Sequence, residues 1–179
     1  MTFRIINIAW VALALVWFAG ALGTKRTARN ESPGSRAQHV ILTFIAFLLL
    51  FGPDHEWSGL ETLRGAGVAM TLAGLAFAIW ARLTIGRNWS GTVELKENHE
   101  LVRRGPYRIV RHPIYSGLLV AMLGTAMAFG GWRGYLGFAI AFVAWKRKSL
   151  TEEQFMAEQF GDAYARYKTE VKALVPAIL

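Results

Sequence analysis

Apolar residues along this chain gather into unbroken runs instead of alternating with polar ones. Five runs stand out, at residues 5–23, 40–51, 63–81, 114–129 and 135–145. At 1.5 Å of rise per helical residue the first is long enough to cross a hydrocarbon core of ~30 Å. Trp10, Trp17 and Phe18 make it bulkier than the apolar region of a signal peptide, so it predicts a retained helix. The second run is short and reaches a crossing length only with residues 37–39 and Gly52-Pro53 placed in the interface. The third is a full span. The fourth and fifth flank Gly130-Gly131-Trp132-Arg133-Gly134, which reads as a tight turn, and together they predict a helical hairpin.

The fold class that follows is an all-α integral membrane protein with about five transmembrane helices, the hairpin included. Residues 1–81 form three amino-terminal spans and residues 82–179 a second half, in which an amphipathic helix follows the hairpin. No strands are expected. Within the spans, small residues recur at helical spacing: Gly67, Thr71, Gly74 and Ala78 in the third, Gly117, Ala121, Gly124 and Ala128 in the fourth. Such rows let two helix backbones approach closely, and packing accounts for them.

Composition agrees. Of 179 residues 54% are hydrophobic, too many for an ordinary soluble domain of this size. The absence of cysteine excludes disulfides, thiolate metal sites and a cysteine nucleophile. Four histidines remain, His39, His55, His99 and His112, none at the helical spacing of a metal pair, and no metal site is expected.

The formal charge of +8 points to nucleic acid or to a membrane. Its placement decides for the membrane. Seventeen of the twenty Lys and Arg fall after the first and third runs or in the tail, on one side of a five-span layout. Asp54, Glu56 and Glu61 collect on the other side. By the positive-inside rule the amino terminus is outside and the carboxyl terminus cytoplasmic, as in a bacterial inner-membrane protein, and no nucleic-acid partner is expected.

Two stretches on the basic side are richer than a connector needs. The segment 82–115 holds Trp89, His99, Tyr107, His112 and Tyr115, and within it GPYRIVRHPIYSG (105–117) packs charge, rings and two prolines against an apolar run. Pro113 suits the first turn of a helix, where its missing N–H costs nothing. That puts Arg111 and His112 at a helix start, an anion-attracting place. An interfacial anchor of snorkelling cations and tyrosines uses the same residues. In the tail, Ser149-Leu150-Thr151-Glu152 matches a capping box, and the helix it predicts runs towards Tyr167. Met156, Phe160, Tyr164, Tyr167 and Val171 form its stripe, with Glu152 one turn ahead and Gly161 interrupting.

His99-Glu100-Leu101-Val102, then Gly105-x-Tyr107 and Arg111-His112-Pro113-x-Tyr115-x-Gly117, together resemble the isoprenylcysteine carboxyl methyltransferase family. So do Glu152-Glu153, Phe160-Gly161, Tyr164, Tyr167 and Pro176 in the tail. The likeness extends to phospholipid N-methyltransferases and bacterial thiol methyltransferases, and covers about residues 92–176. It implies a membrane methyltransferase with S-adenosyl-L-methionine as donor. His99, Leu101, Val102, Tyr107, His112, Tyr115 and Glu152 are then expected to bind that cofactor. Arg111, Lys148 and Glu152 are the expected catalytic residues. Lys148 stands where the family places an arginine for the substrate carboxylate, and a lysine lacks the bidentate fork. The expected partners are membrane lipids and a lipophilic methyl acceptor entering from the bilayer: an isoprenylcysteine-like carboxylate, a lipid or a small thiol.

Two other readings use the same features. A membrane reductase of sterol-like lipids, with a nicotinamide cofactor, resembles this carboxyl-terminal arrangement. A non-enzymatic lipid-binding protein would use the basic loop for anionic headgroups.

Overall fold

The computed structural model describes residues 1–21, 24, 27–52, 61–96 and 100–176. The elements in chain order are α1 (Thr2–Ala21), β1 (Thr27–Asn30), α2 (Pro33–Phe51), α3 (Glu61–Ile85), β2 (Glu94–Lys96), α4 (Pro113–Phe129), α5 (Trp132–Phe160) and α6 (Asp162–Glu170). Three of them, α1, α2 and α3, are long and apolar enough to cross a membrane, and α4 is a shorter apolar helix. Large side chains on their outer faces are bare, among them Ile8, Phe18, Phe44 and Leu83. An aqueous surface would not tolerate that apolar area, and a bilayer requires it.

The helix ends are set locally. Ser32 caps α2 by accepting from the Ser35 N–H at 3.3 Å, with Pro33 in the first turn. Pro113 opens α4 directly after His112, and Gly130, left-handed at φ 76°, closes it.

α3 and α4 share the most extensive interface, α2 packs along α5, and α1 leans on α3. The small-residue rows are why α3 and α4 come so close. A Cβ on Gly74 would lie 2.5 Å from the Ala121 backbone nitrogen, and one on Gly124 2.6 Å from that of Thr71. The same contact holds a buried polar knot. Thr71 and Thr125 pair at 3.2 Å, and the Trp10 indole N–H of α1 donates to Thr125 at 3.1 Å. α1 and α2 meet through Trp10 against Phe47 and Phe51, edge to face.

Three sequence expectations are corrected. No capping box starts a tail helix at Ser149: α5 runs unbroken from Trp132 to Phe160, and Ser149 Oγ donates back to the Lys146 carbonyl at 2.8 Å. Residues 146–159 contain neither glycine nor proline, so nothing stops the helix as it leaves the apolar run. The helix ends at Gly161, at φ 49°, and α6 is a separate short piece. The turn between the hairpin helices shrinks to Gly130 and Gly131, because Trp132 already belongs to α5. Finally, strands do occur: β1 and β2 pair antiparallel, and the Glu31 N–H continues the ladder to the Val93 carbonyl at 2.9 Å. The two loops cross at the helix ends, where their backbone groups need partners.

Candidate functional site

The basic-side ends of the helices enclose a cavity of about 1040 Å³. One wall is apolar and comes from α1 and α2, with Trp10, Ala14, Trp17, Phe44 and Phe47. The opposite end is polar and aromatic, built by residues 88–93 and 100–102, the start of α4 and the middle of α5.

The residues singled out from sequence converge there. Leu101, Val102, Tyr107, Arg111, His112, Tyr115, Lys148 and Glu152 all line the cavity. His99 lies outside the described residues. The unbroken α5 is what carries Lys148 and Glu152, one turn apart, from the apolar hairpin to the start of α4. The Tyr115 hydroxyl donates to Glu152 Oε1, and His112 Nδ1 lies 3.3 Å from Glu152 Oε2. The Tyr115 ring stacks between His112 and Trp145, with centroids 5.7 and 6.1 Å away. Lys148 is buried, donates from Nζ to the Gly91 carbonyl at 2.7 Å, and sits 5.6 Å from the Tyr115 ring.

Arg108 of the 105–117 stretch is exposed, but Arg111 and His112 are not spread over an interface as an anchor would be. The Arg111 and His112 side chains are 8% and 9% exposed. Their backbone N–H groups are taken by the Lys172 and Ala173 carbonyls of the returning tail, at 2.8 and 2.9 Å. The Ser116 hydroxyl ties Leu174 to the same turn at 2.6 Å. Beneath them lies Glu153, which Arg111 Nε reaches at 3.0 Å, Lys168 Nζ at 3.0 Å and His112 Nε2 at 3.3 Å. The Arg111 guanidinium also donates to the carbonyls of Lys168 and Val171. α6 is held by the Tyr167 hydroxyl, which donates to the Tyr107 carbonyl at 2.5 Å.

The electrostatics follow. Burial alone would lower the His112 pKa, but hydrogen bonds and charge from Glu152 and Glu153 outweigh it and raise the pKa above the ordinary histidine value. Burial would raise Glu153, yet hydrogen bonds from His112, Arg111 and Lys168 hold it far below the ordinary carboxylate range. Glu152 is lowered too, against its burial, chiefly by its bond to His112 and the charge of Lys148. Burial pushes the Tyr167 phenol up to about 12. At neutral pH the site therefore holds two carboxylates, and both favour the charged form of the imidazole between them.

Glu153, Asn88, Glu31, His39 and the aromatic wall of α1 and α2 were not singled out as site residues. Glu153 had a signal. The buried positions Ala141, Ala144, Trp145, Lys148, Ser149 and Glu153 form one helical stripe, visible once α5 is taken as continuous. The α1 and α2 residues had none, because an apolar residue lining a cavity and one facing lipid look alike in sequence.

Residues 63–163, more than half of the chain, match the family model described as phospholipid methyltransferase. Protein-S-isoprenylcysteine O-methyltransferase B of Arabidopsis thaliana is 29% identical over 145 residues, covering 77% of this chain and 70% of that one. The protein-S-isoprenylcysteine O-methyltransferase of Schizosaccharomyces pombe is 37% identical over 103 residues, 55% of this chain and 43% of that one. Among solved structures, a eukaryotic intramembrane Ras methyltransferase, isoprenylcysteine carboxyl methyltransferase, matches with a TM-score of 0.62 at 24% identity. That match covers 84% of this chain and 55% of the other, and it is a likeness of fold. The chain thus spans about half the length of the fission-yeast relative and of the solved structure.

Proposed function

The chain belongs to the phospholipid methyltransferase family, and from that membership we propose that this membrane methyltransferase takes S-adenosylmethionine as donor and methylates a lipophilic acceptor at the cytoplasmic membrane face. The observation that carries the reading is the position of Glu152. Its carboxylate closes the polar end of a cavity whose other wall is apolar and built from the membrane helices. One space thereby offers a polar cofactor and a greasy acceptor adjoining places.

The residues suit such a donor. Asn88 lines the cavity and its Oδ1 is buried with no partner among the described residues, an acceptor ready for an N–H or O–H group. Glu152, oriented by Tyr115 and His112, suits an amino group or a pair of hydroxyls. Leu101 and Val102 supply an apolar edge, and His99 belongs to the same stretch. Tyr107, Tyr115 and Trp89 present rings to a cation, each worth on the order of 1 kcal/mol. The bound donor supplies a methyl group on a positively charged sulfur.

What the protein contributes is placement, which brings effective molarities of ~10⁵ M or more. Lys148 gives the acceptor's head a point charge. Arg111 acts through Glu153, fixing the start of α4 and with it His112. Residues 1–81 form the apolar wall and residues 82–179 the polar end. α4 and the apolar part of α5 complete five spans, with the basic face and the tail in the cytoplasm of a bacterial cell.

The test is transfer of a labelled methyl group from S-adenosylmethionine to three acceptors in turn: an isoprenylcysteine carboxylate, a phospholipid amine and a lipophilic thiol. Transfer to at least one, abolished in Glu152→Ala, is expected. No transfer to any of the three by folded protein that binds the donor would contradict the acceptor class.

A further inference from the structure

One titratable side chain at the polar end of the cavity has no place in the account above. His39, on α2, is 8% exposed and lines the cavity, and its Nε2 is buried with no hydrogen-bond partner among the described residues. That nitrogen lies 3.6 Å from Glu31 Oε1. Glu31 is itself buried and fixed in place. Ser35 Oγ donates to its Oε2 at 2.7 Å, and the Val93 N–H donates to Oε1 at 3.1 Å. A carboxylate held from two sides cannot swing away from the imidazole. The ring nitrogen beside it is an open acceptor, and a proton taken up at Nε2 would pair with Glu31.

The surroundings show where such a proton comes from and goes. His39 and Lys148 form a shared wall: both line the main cavity, and both line a side cavity of about 180 Å³ bounded also by Ser35, Gln38, Arg147 and Thr151. The charged groups facing the imidazole are Glu31, Lys148 and Glu152. A proton acceptor in the wall of a methyl-transfer site is needed only for an acceptor that arrives protonated. A carboxylate arrives ionised. An amine arrives as an ammonium ion at neutral pH, and the buried Lys148 repels it. A thiol crosses an apolar wall uncharged and becomes nucleophilic only as the thiolate, which Lys148 stabilises.

We propose that His39 is the proton acceptor for the methyl acceptor, and that this acceptor is a lipophilic thiol; the proposal rests on the methyltransferase reading. One proton moves. The S–H bond breaks and its electron pair stays on sulfur as the nucleophilic pair. The proton forms an N–H bond at His39 Nε2, and the imidazolium pairs with Glu31. The proton then leaves to water through the side cavity, restoring the neutral ring.

The experiment uses detergent-purified full-length protein saturated with S-adenosylhomocysteine, which cannot react, and an alkanethiol of membrane length. The ultraviolet band of the thiolate is followed as pH is raised. In the wild type the bound thiol is expected to ionise at least about one pH unit below the free thiol, that is, with about tenfold more thiolate at neutral pH. In His39→Gln the thiol still binds but ionises where free thiol does. Turnover of the thiol at neutral pH falls by about 10²–10⁴ and recovers at alkaline pH. Glu31→Gln, which keeps the shape of the pair, shows the same effect in weaker form and serves if the first variant fails to fold. A thiolate titration in His39→Gln that matches the wild type overturns the proposal. Failure of the wild type to bind S-adenosylhomocysteine overturns the underlying methyltransferase reading instead, and the proposal with it.

Discussion

Arg111 is paired with Glu153 inside the protein, Nε to Oε1 at 3.0 Å, with neither side chain more than 8% exposed. This cation of the 105–117 stretch is therefore answered from within, by a carboxylate on α5. Its neighbour Glu152 points the other way, toward Tyr115 and the cavity. Of two adjacent glutamates, one thus holds the fold and the other faces the cavity.

The two should separate in mutants. Glu153→Ala leaves Arg111 buried and uncompensated, and breaking a buried pair in this way costs about 3–5 kcal/mol. Glu152→Ala takes a carboxylate from Tyr115 and from His112, which keeps Glu153, and is expected to cost less stability. Thermal unfolding in detergent should show a large drop for the first and a small one for the second. Equal drops would mean that the division is wrong.

The same cluster predicts a pH dependence. His112 has a raised pKa, so its contribution to stability is complete below the unfolded value of about 6.5 and is lost as pH climbs through the folded value. Glu153 is depressed, so its contribution is complete above about pH 4.3 and is lost only as acid drives the pH down through its folded value. The melting temperature should therefore decline on the alkaline side of about pH 6.5. His112→Gln should flatten that limb. A limb of unchanged steepness in the variant would remove His112 as its cause.

Close contact between α3 and α4 gives a third prediction. Gly74→Leu drives a side chain into the Ala121 backbone, which a Cβ alone would approach to 2.5 Å. Overpacking of this kind costs about 1–3 kcal/mol, and more where backbone must move. The substitution Gly65→Leu, on the same helix but with open space beside it, is the control and should be nearly neutral. Similar unfolding temperatures for both would mean that the helices are not this close.

Much of this was legible in the chain. The apolar runs give α1 to α4, Pro113 gives the start of α4, and the glycine rows give its partner. What was not legible has physical causes. Ser149 to Glu152 has the composition of a cap, but a capping side chain competes only where the helix would otherwise begin, and α5 was already under way. The strand segments TARN and ELK, four and three residues long, are too short for a pattern of apolar and polar positions to mark them. Their pairing comes from the tertiary structure that brings Glu31 to Val93. Of the site, the charged and aromatic residues on the α4 and α5 side stood out because charge beside a membrane run is conspicuous. His39 did not, since one histidine in a helix has no pattern.

Tyr115 offers a direct probe of the ligand-facing half. Its hydroxyl orients Glu152, and a hydrogen bond to a charged group is worth about 1.5–3 kcal/mol. Tyr115→Phe should weaken S-adenosylhomocysteine binding about tenfold, equivalent to roughly 1.4 kcal/mol, with little change in unfolding temperature. Unchanged affinity would take this pair out of the cofactor site.

Glu152, at the polar end of the cavity, is the proposed anchor of S-adenosylmethionine. Calorimetric titration of the donor and of S-adenosylhomocysteine into detergent-purified protein tests it most directly, with NADPH as the comparison. The account predicts micromolar binding of both adenosyl ligands, loss of it in Glu152→Ala, and no binding of NADPH. Folded protein that ignores both adenosyl ligands, or that binds them equally well without the Glu152 carboxylate, would contradict it.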